Sequence, residues 1–345
     1  MQGAMQDWPL LVSKLIEHAE TCHGDREIVT LTVEGGTQRS SWRDVAIRAR
    51  RVAQLLQRLG IRAGDRVATL AWNTHRHIEC WYGISGLGAV AHTINPRLFA
   101  DQIVYIANHA EDRVLFFDLS FVPLVEEIAP RLKTVEHFVV LTDRAHMPSS
   151  QLDLWCYEEL IGNEDGMFSW PELDEAAAAG LCYTSGTTGN PKGVLYSHRS
   201  SVLHAIAAMS PDSLGITGNQ TVLPVVPMYH ANAWSVPYAA AAAGSKIVLA
   251  GPHFDAPTLA RLIRDEGVTL TLAVPTIWSA MLQHLEVSGE TLGALERVVI
   301  GGSACPRSMI EAFQDRHNVT VVHAWGMRTR ALTGFLVPSA SEPRL

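Results

Sequence analysis

The sequence of 345 residues is short of the features that mark several common protein classes. Lys and Arg number 27 against 35 Asp and Glu, so the net charge is −8, and the basic residues form no cluster. Because nucleic-acid binding needs a positively charged surface, this balance argues against that function. No run of about 18 apolar residues occurs, so we expect no transmembrane segment. The N-terminus also lacks the basic and apolar regions of a signal peptide.

Cysteine is scarce as well, and its positions are scattered: Cys22, Cys80, Cys156, Cys182 and Cys305. No two of them have the spacing of a zinc site or of a redox pair. We therefore expect buried, reduced thiols in a cytoplasmic protein. The remaining composition, with 47% hydrophobic and 18% charged residues, is typical of a globular protein with a large core that acts on small molecules. The length suggests about two domains.

Apolar β-rich runs alternate with helical periods along most of the chain, which predicts an α/β fold. An amphipathic helix over 8–23 and a hairpin with a Gly35-Gly36 turn come first, and Ser41 is expected to cap the next helix. Further strands are predicted at 65–70, 89–94, 114–117, 138–141, 221–224, 246–249, 268–274, 297–300 and 319–323. Further helices are predicted at 76–87, 100–110, 121–132, 202–209, 232–243, 256–266, 276–287 and 306–315. This order favours two mostly parallel sheets, whereas residues 143–178 are expected to form an irregular surface connection.

One polar stretch between these runs is rich in glycine and in hydroxyl groups. It reads Tyr183-Thr184-Ser185-Gly186-Thr187-Thr188-Gly189-Asn190-Pro191-Lys192-Gly193. Glycine lets the backbone approach a ligand closely, the hydroxyls add donors, and the lysine adds a positive charge. Such a loop suits a polyphosphate, although a Gly-Lys-[Ser/Thr] P-loop ending is missing. The alternative is a flexible polar turn.

The whole string resembles the phosphate loop of the adenylate-forming superfamily, and the chain over about residues 8–327 is most similar to fatty acyl-CoA synthetases. This resemblance implies an α/β fold with two parallel-rich subdomains, as in the N-terminal domain of those enzymes. One subdomain would comprise 8–60 and 210–327, on the acyl and adenine side. The other would comprise 61–209 and carry the phosphate loop.

The resemblance also implies the roles of particular residues. The phosphates would be held by Thr184, Ser185, Gly186, Thr187, Thr188, Gly189 and Lys192, with Thr184 also the candidate metal contact. Adenine would be held by Gly301, Gly302, Ser303, His323, Trp325, Gly326 and Met327. His230 and Lys192 are the candidate catalytic residues, and His230 would lie beside the carboxylate of the substrate. Trp234, one helical turn further on, would share a face with His230 and line or gate an acyl channel. A structural histidine and a core tryptophan are the alternatives.

The chain departs from the family pattern after Met327. Relatives continue with Thr-Glu, whose glutamate helps to hold Mg²⁺, but this chain reads Arg328-Thr329-Arg330. The tail 328–345 is expected to match nothing in the family, and the C-terminal lid domain with its lysine is absent from the sequence. We interpret this as a truncated or frameshifted product.

The resemblance implies an ATP-dependent fatty acid–CoA ligase that acts through an acyl-adenylate. Its substrates would be a fatty or other carboxylic acid, ATP with Mg²⁺, and coenzyme A, and it would form a homodimer as relatives often do. Two alternatives stay open. One is a non-catalytic protein that binds ATP or a fatty acid, or that dimerises with an intact paralogue. The other is a ligase for aryl or short-chain acids.

Overall fold

The computed structural model describes residue 5, residues 7–184 and 190–326, and the backbone of residues 336–338. The helices and strands of its first part are α1 (Val12–His23), β1 (Glu27–Leu31), β2 (Thr37–Ser41), α2 (Trp42–Arg58), β3 (Arg66–Leu70), α3 (His75–Leu87), β4 (Val90–Thr93), α4 (Ala100–Ala110), β5 (Asp112–Phe117), α5 (Val122–Ile128), β6 (His137–Val140), β7 (Leu154–Cys156) and α6 (Tyr157–Gly162).

The second part begins with the strand that leads into the predicted phosphate loop. Its elements are β8 (Ala178–Thr184), β9 (Lys192–Ser197), α7 (His198–Met209), β10 (Thr221–Pro224), α8 (Val236–Ala243), β11 (Lys246–Leu249), α9 (Ala256–Asp265), β12 (Leu270–Ala273), α10 (Pro275–Ser288), β13 (Arg297–Ile300), α11 (Arg307–Glu311), β14 (Thr320–Ala324) and β15 (Leu336–Pro338).

Within the described residues these strands form two sheets, as the alternating pattern predicts. The eight-stranded sheet has the order β15-β14-β13-β12-β10-β11-β1-β2, and the seven-stranded sheet has the order β7-β6-β5-β3-β4-β8-β9. Pairing is parallel except at the edges, where β2, β9 and β15 are antiparallel to their neighbours. The doubly wound α/β fold is therefore confirmed.

Helices cover both faces of each sheet. This is seen from successive strand residues, which belong to different hydrophobic clusters. In β13, Val299 packs with α1, α7 and α8, whereas Val298 and Ile300 pack with α9 and α10. In β5, Phe116 faces the cluster of α2 and α3, and Phe117 faces that of α4 and α5. The order of layers is helices, sheet, helices, sheet, helices, and strands buried on both sides are apolar throughout.

The start of α2 is correctly predicted from the sequence, because the hydrogen bonds that fix it join residues close to each other in the chain. The hydroxyl of Ser41 accepts the Asp44 N–H at 3.2 Å, and the Asp44 carboxylate accepts the Ser41 N–H at 2.8 Å. This capping box fixes the start of α2 as predicted.

Three predicted segments are wrong in the structure. Residues 143–178 contain β7 and α6, whose Tyr157 and Ile161 are fully buried, because elements this short show too little periodicity to be recognised. Lys192–Ser197 is a strand, although no strand was expected after the loop. The helix expected at 232–243 begins only at Val236, because Pro237 fits only the first turn of a helix.

The cysteine prediction holds in part. None of the five cysteines forms a disulfide, and Cys80, Cys156 and Cys182 are buried. Cys22, however, is exposed at the end of α1, and Cys305 is half-buried. None of the described helices has both the length and the apolar character that a membrane crossing needs.

Candidate active site

The predicted site residues lie where the carboxyl ends of strands from both sheets approach each other. In the seven-stranded sheet this edge includes the ends of β3 and β8, and in the eight-stranded sheet it includes the ends of β10, β13 and β14. Ligands of open parallel sheets bind at such ends. The topology therefore brings segments that are far apart in sequence to one region.

The two ends of the predicted phosphate loop lie in antiparallel strands that form a β-hairpin. β8 and β9 pair as far as Thr184 opposite Lys192, and the Thr184 hydroxyl donates to the Lys192 carbonyl oxygen at 3.4 Å. The Lys192 side chain is exposed, so it is available to a ligand. The predicted phosphate contacts Ser185, Gly186, Thr187, Thr188 and Gly189 lie outside the described residues.

The root of this hairpin is anchored by polar groups that the sequence did not single out. The Tyr183 hydroxyl lies 2.6 Å from Nδ1 of His109 on α4, and the rings of Tyr183 and His92 are 5.2 Å apart. His92 in turn pairs with the buried Asp112 carboxylate at 2.7 Å. Burial raises the pKa of Tyr183 to about 12 and raises that of Asp112, which His92 opposes. The phenol therefore acts as a neutral anchor of the hairpin.

The segment after His230 has a left-handed backbone. Residues 231–235 all have φ between +45° and +60°, although none of them is glycine. Only Asn232 is of a type that adopts this conformation readily, and for the others it costs about 1–2 kcal/mol per residue. The prediction that His230 and Trp234 share a helical face is therefore wrong. Such strain persists only where surrounding contacts hold it.

Contacts from both sheets hold the left-handed turn. Asn232 accepts the thiol of Cys182 at 3.2 Å, and a methyl group built on Gly180 would lie 3.3 Å from the Asn232 amide nitrogen. The Ser235 hydroxyl lies 2.8 Å from Nδ1 of His204 on α7. The turn is thus fastened to β8. This strand and β9 form the hairpin that carries the predicted phosphate loop, which we call the phosphate hairpin.

Trp234 reaches in the opposite direction, to the eight-stranded sheet. A methyl group built on Gly301 would lie 2.8 Å from Cη2 of Trp234 and 2.9 Å from the carbonyl oxygen of Ala324. The indole therefore lies directly against the bare backbone at the end of β13. One continuous line of contacts joins β8, Asn232, Trp234, Gly301 and the end of β14.

The other predicted adenine contacts surround this line. Gly302 has a φ of +84° and is exposed, as is Ser303. His323 is half-buried in β14, and the indole of Trp325 is 58% exposed just beyond it. Gly326 is exposed, and Met327 lies outside the described residues.

His230 is half-buried at the end of the loop that follows β10. Asn73, at the carboxyl end of β3, makes three hydrogen bonds to this loop. The sequence reading missed Asn73, although its position directly after a parallel strand was a usable signal.

The described residues contain no group of three or more His, Cys, Asp or Glu side chains that could hold a metal ion. Thr184 alone cannot form a resident metal site, since Mg²⁺ prefers carboxylates and phosphate oxygens.

Comparison with known proteins gives consistent matches over nearly the whole chain. The family described as AMP-binding enzyme matches residues 16–339, which extends beyond residue 327 into the tail that was expected to match nothing. A 3-methylmercaptopropionyl-CoA ligase of Ruegeria pomeroyi is 52% identical over 95% of this chain and 61% of its own length. A medium-chain-fatty-acid–CoA ligase of Ectopseudomonas oleovorans is 49% identical over 95% of this chain and 60% of its own length.

Among solved structures, the inhibitor-bound N-terminal domain of FACL13 from Mycobacterium tuberculosis is similar with a TM-score of 0.82 and 25% identity. The similarity covers 95% of this chain and 79% of that chain. The chain spans about three fifths of the length of the curated relatives that it matches.

Proposed function

Because the chain belongs to the AMP-binding enzyme family, we propose that it activates a carboxylic acid with ATP and transfers the acyl group to coenzyme A. The observation that carries this proposal is the line of contacts from the phosphate hairpin through Asn232 and Trp234 to Gly301. This line supports the proposal because it joins β8 of the hairpin, a flat apolar side chain and the end of β13, and a reaction between a triphosphate and an acyl group needs both partners in one region.

The proposed chemistry has two steps. A carboxylate oxygen attacks the α-phosphorus of ATP, the bond to the bridging oxygen breaks, and pyrophosphate leaves with its electron pair. The thiol of coenzyme A then loses its proton and attacks the carbonyl carbon of the acyl-adenylate, which releases AMP. In this scheme Lys192 and Thr184 bind phosphate oxygens of Mg·ATP, and His230 orients the carboxylate. Fixed positive charge and donors at the phosphates lower the barrier because charge develops there.

We propose an aliphatic acid as the substrate. The names of the two relatives above refer to a short thioether acid and to medium-chain fatty acids. The apolar surroundings of Trp234, which include the buried Trp81 and Tyr238, support an apolar substrate tail. An aryl acid is the competing class, and within the aliphatic class short-chain acids compete with fatty acids. The acid panel described next separates all three when its aliphatic members span short to long chains.

The test is pyrophosphate release by this chain with ATP, coenzyme A and a panel of aliphatic and aromatic acids. We expect release that depends on an aliphatic acid. Lys192→Ala should weaken ATP binding about 10- to 100-fold, since a charge-assisted hydrogen bond contributes about 1.5–3 kcal/mol. Lys133→Ala, which removes a lysine from the segment after α5, is the matched control.

Calorimetry with ATP decides what a negative result means. Binding of ATP without pyrophosphate release from any acid would replace the ligase with a non-catalytic nucleotide-binding protein. If the chain neither binds ATP nor releases pyrophosphate, it has the fold of the family but not the proposed activity. We also propose a cytoplasmic location, which is supported by the lack of disulfides among the five cysteines. A homodimer is proposed from the resemblance to the family alone, and light scattering on the purified chain tests it.

A further inference from the structure

Asn73 connects the two sheets next to the proposed site. Its side chain is 2% exposed, and its Nδ2 donates to the carbonyl oxygens of Pro224 at 2.9 Å and Val226 at 3.0 Å. Its Oδ1 accepts the N–H of Met228 at 2.8 Å. Its backbone carbonyl also accepts the Gly251 N–H at 3.1 Å. A residue three positions beyond the end of β3 in one sheet thus fixes the loops that follow β10 and β11 in the other.

The three side-chain hydrogen bonds supply partners for backbone groups that have none within the sheet. After Pro224 the chain leaves the regular ladder, and the N–H groups of Val225 and Val226 both point to the single Leu272 carbonyl oxygen. Buried backbone groups without partners are costly, so the carboxamide stabilises this particular path of the loop. Only an amide offers two donors and an acceptor in one plane.

The neighbouring Trp72 reinforces the same loop. Its ring lies 6.1 Å from that of Tyr229, edge to face, and its indole N–H donates to the Ser120 hydroxyl at 2.8 Å. Trp72 and Asn73 together therefore hold the segment 224–229 at both ends. The next residue along the chain is His230, and the left-handed turn 231–235 follows directly.

We propose that Asn73 is a positioning residue for the proposed ligase reaction, on which this inference rests: its carboxamide sets where His230 and Trp234 lie relative to the phosphate hairpin. Asn73 is placed to contact the loop backbone and acts only through that loop. A shift of the loop by about 1 Å is enough to lower a rate about 100-fold when reacting groups must be aligned. The loop 224–229 carries none of the predicted ATP contacts, which lie in the hairpin and at the ends of β13 and β14, so ATP binding should be spared.

Asn73→Asp is the informative substitution because it changes the pattern of donors and little else. The ionised carboxylate would still accept the Met228 N–H, but it would face the carbonyl oxygens of Pro224 and Val226 without a donor. Protonation of the new carboxyl restores one donor. The defect should therefore be largest at pH 8 and become smaller toward pH 6.

Asn108→Asp is the matched control. The Asn108 amide likewise donates to a carbonyl oxygen, that of Arg131 at 3.0 Å, and accepts the Lys133 N–H at 2.8 Å. It joins α4 to the segment after α5 and has no contact with the loop after β10.

The experiment compares the unmodified chain and both variants by acid-dependent pyrophosphate release, ATP calorimetry and hydrogen exchange. For Asn73→Asp we expect kcat to fall about tenfold or more at pH 8, with the ATP dissociation constant within about twofold of the unmodified chain. Amide exchange should accelerate in peptides covering 224–235 and stay unchanged in those covering 192–209. Asn108→Asp should leave all three measurements unchanged.

Each outcome bears on the inference separately from the proposed function. If the unmodified chain turns over and Asn73→Asp does so equally well, the positioning role is wrong and the ligase function stands. If the unmodified chain releases no pyrophosphate with any acid, the proposed function is wrong, and the exchange of 224–235 alone decides whether Asn73 fixes the loop. If Asn73→Asp fails to fold, Asn73→Ser, which can keep one hydrogen bond, replaces it. Failure of both to fold would show a purely structural residue and overturn the proposal.

Discussion

Two polar junctions between the sheets are built from different chemistry. At one, Arg76 of α3 pairs with Glu34 in the β1–β2 turn at 2.5 Å and with Glu158 at 2.8 Å. Arg48 extends this cluster by pairing with Glu158 and with Glu79. We call this cluster the ionic junction. The other, the neutral junction, lies next to the proposed site and consists of the contacts made by Asn73, Asn232 and the Cys182 thiol.

This difference follows from the cost of disturbing each kind of contact. A buried charge that loses its partner costs several kcal/mol, so an ionic junction resists any rearrangement. A hydrogen bond between neutral groups contributes about 1 kcal/mol, so a neutral junction fixes geometry and still permits small shifts when ligands bind. Neutral groups beside the hairpin also add no fixed charge that would compete with a polyphosphate. We infer that the ionic junction determines stability and the neutral junction determines the geometry of the site.

Glu79 should show the largest effect, because its carboxylate is fully buried in the ionic junction. Burial by itself would raise its pKa, but the Arg48 guanidinium at 2.7 Å outweighs this and holds the pKa of Glu79 below its usual value. Glu79→Gln should lower the free energy of unfolding by about 3 kcal/mol, because Arg48 and the Tyr157 hydroxyl lose a charged partner. Urea denaturation measures the change.

The control for this substitution is Glu286→Gln on the exposed face of α10, which should change stability by less than about 0.5 kcal/mol. A loss at Glu79 no greater than that at Glu286 would contradict the assignment of stability to the ionic junction. ATP binding by the folded Glu79→Gln protein should be unaffected, since the Glu79 carboxylate contacts Arg48 on α2 and Tyr157 on α6, and neither is a predicted site residue.

A smaller effect, on the pH dependence of stability, is expected at Asp118, which lies between the two junctions. Its carboxylate is 1% exposed and accepts the Trp72 N–H at 2.6 Å. Burial raises its pKa to about 7, against the opposing effects of the Trp72 N–H and Arg76, and Glu34 adds to the rise. The folded protein therefore holds this proton more tightly than the unfolded chain. The resulting stabilisation is complete below pH 3.8 and is lost as the pH rises to about 7.

Asp118→Asn removes that titration but keeps an acceptor for the Trp72 N–H. Between pH 5 and pH 7 the unfolding free energy of the unmodified chain should fall relative to that of Asp118→Asn by about 2 kcal/mol, because each pKa unit corresponds to about 1.4 kcal/mol. Denaturation curves of both proteins across this range give the difference. Parallel pH profiles would mean that Asp118 stays ionised in the folded protein.

Gly301 tests the neutral junction by steric means. A methyl group there would lie within 3 Å of both the Trp234 indole and the Ala324 carbonyl oxygen, and the carbonyl belongs to a strand that cannot move cheaply. Gly301→Ala should weaken binding of ATP or of a non-hydrolysable acyl-adenylate analogue about tenfold, because overpacking typically costs about 1–3 kcal/mol. Gly162→Ala is the control, because a methyl group added there would have no neighbouring atom within 4 Å, and this variant should bind ATP and the analogue normally. Equal affinities in the two variants would remove Gly301 from the site.

The sequence predicted what depends on local chemistry or on a long repeated pattern. The alternation of strands and helices predicted the two parallel sheets, and Ser41 as a cap predicted the start of α2. The resemblance of the segment 183–193 indicated the family, which the match over residues 16–339 confirms.

The parts that the sequence could not predict depend on contacts between distant residues. The left-handed turn 231–235 has no local signature, because its alanines and tryptophan favour right-handed helix. Contacts from β8, β13 and α7, all distant in sequence, hold it in place. Asn73 lies 151 residues from the Pro224 carbonyl oxygen that it contacts. The roles assigned to His230, Lys192 and the adenine contacts stay predictions.

The smallest effect is expected at Cys182, the weakest member of the neutral junction. Its thiol donates to Asn232 at 3.2 Å and lies 3.1 Å from the Thr93 hydroxyl, but thiol hydrogen bonds are weak. Cys182→Ala and the control Cys80→Ala each remove one buried sulfur atom, so both should lower the unfolding free energy by about 1 kcal/mol. Only Cys182→Ala should also weaken ATP binding, by about two- to threefold, because β8 leads into the phosphate hairpin whereas Cys80 lies in the core beneath α2. Calorimetry on both variants therefore separates a contact that shapes the site from one that only fills space. Identical ATP affinities of the two variants would show that the left-handed turn keeps its position without the thiol. The geometry of the site would then depend on the Asn73 contacts of the neutral junction.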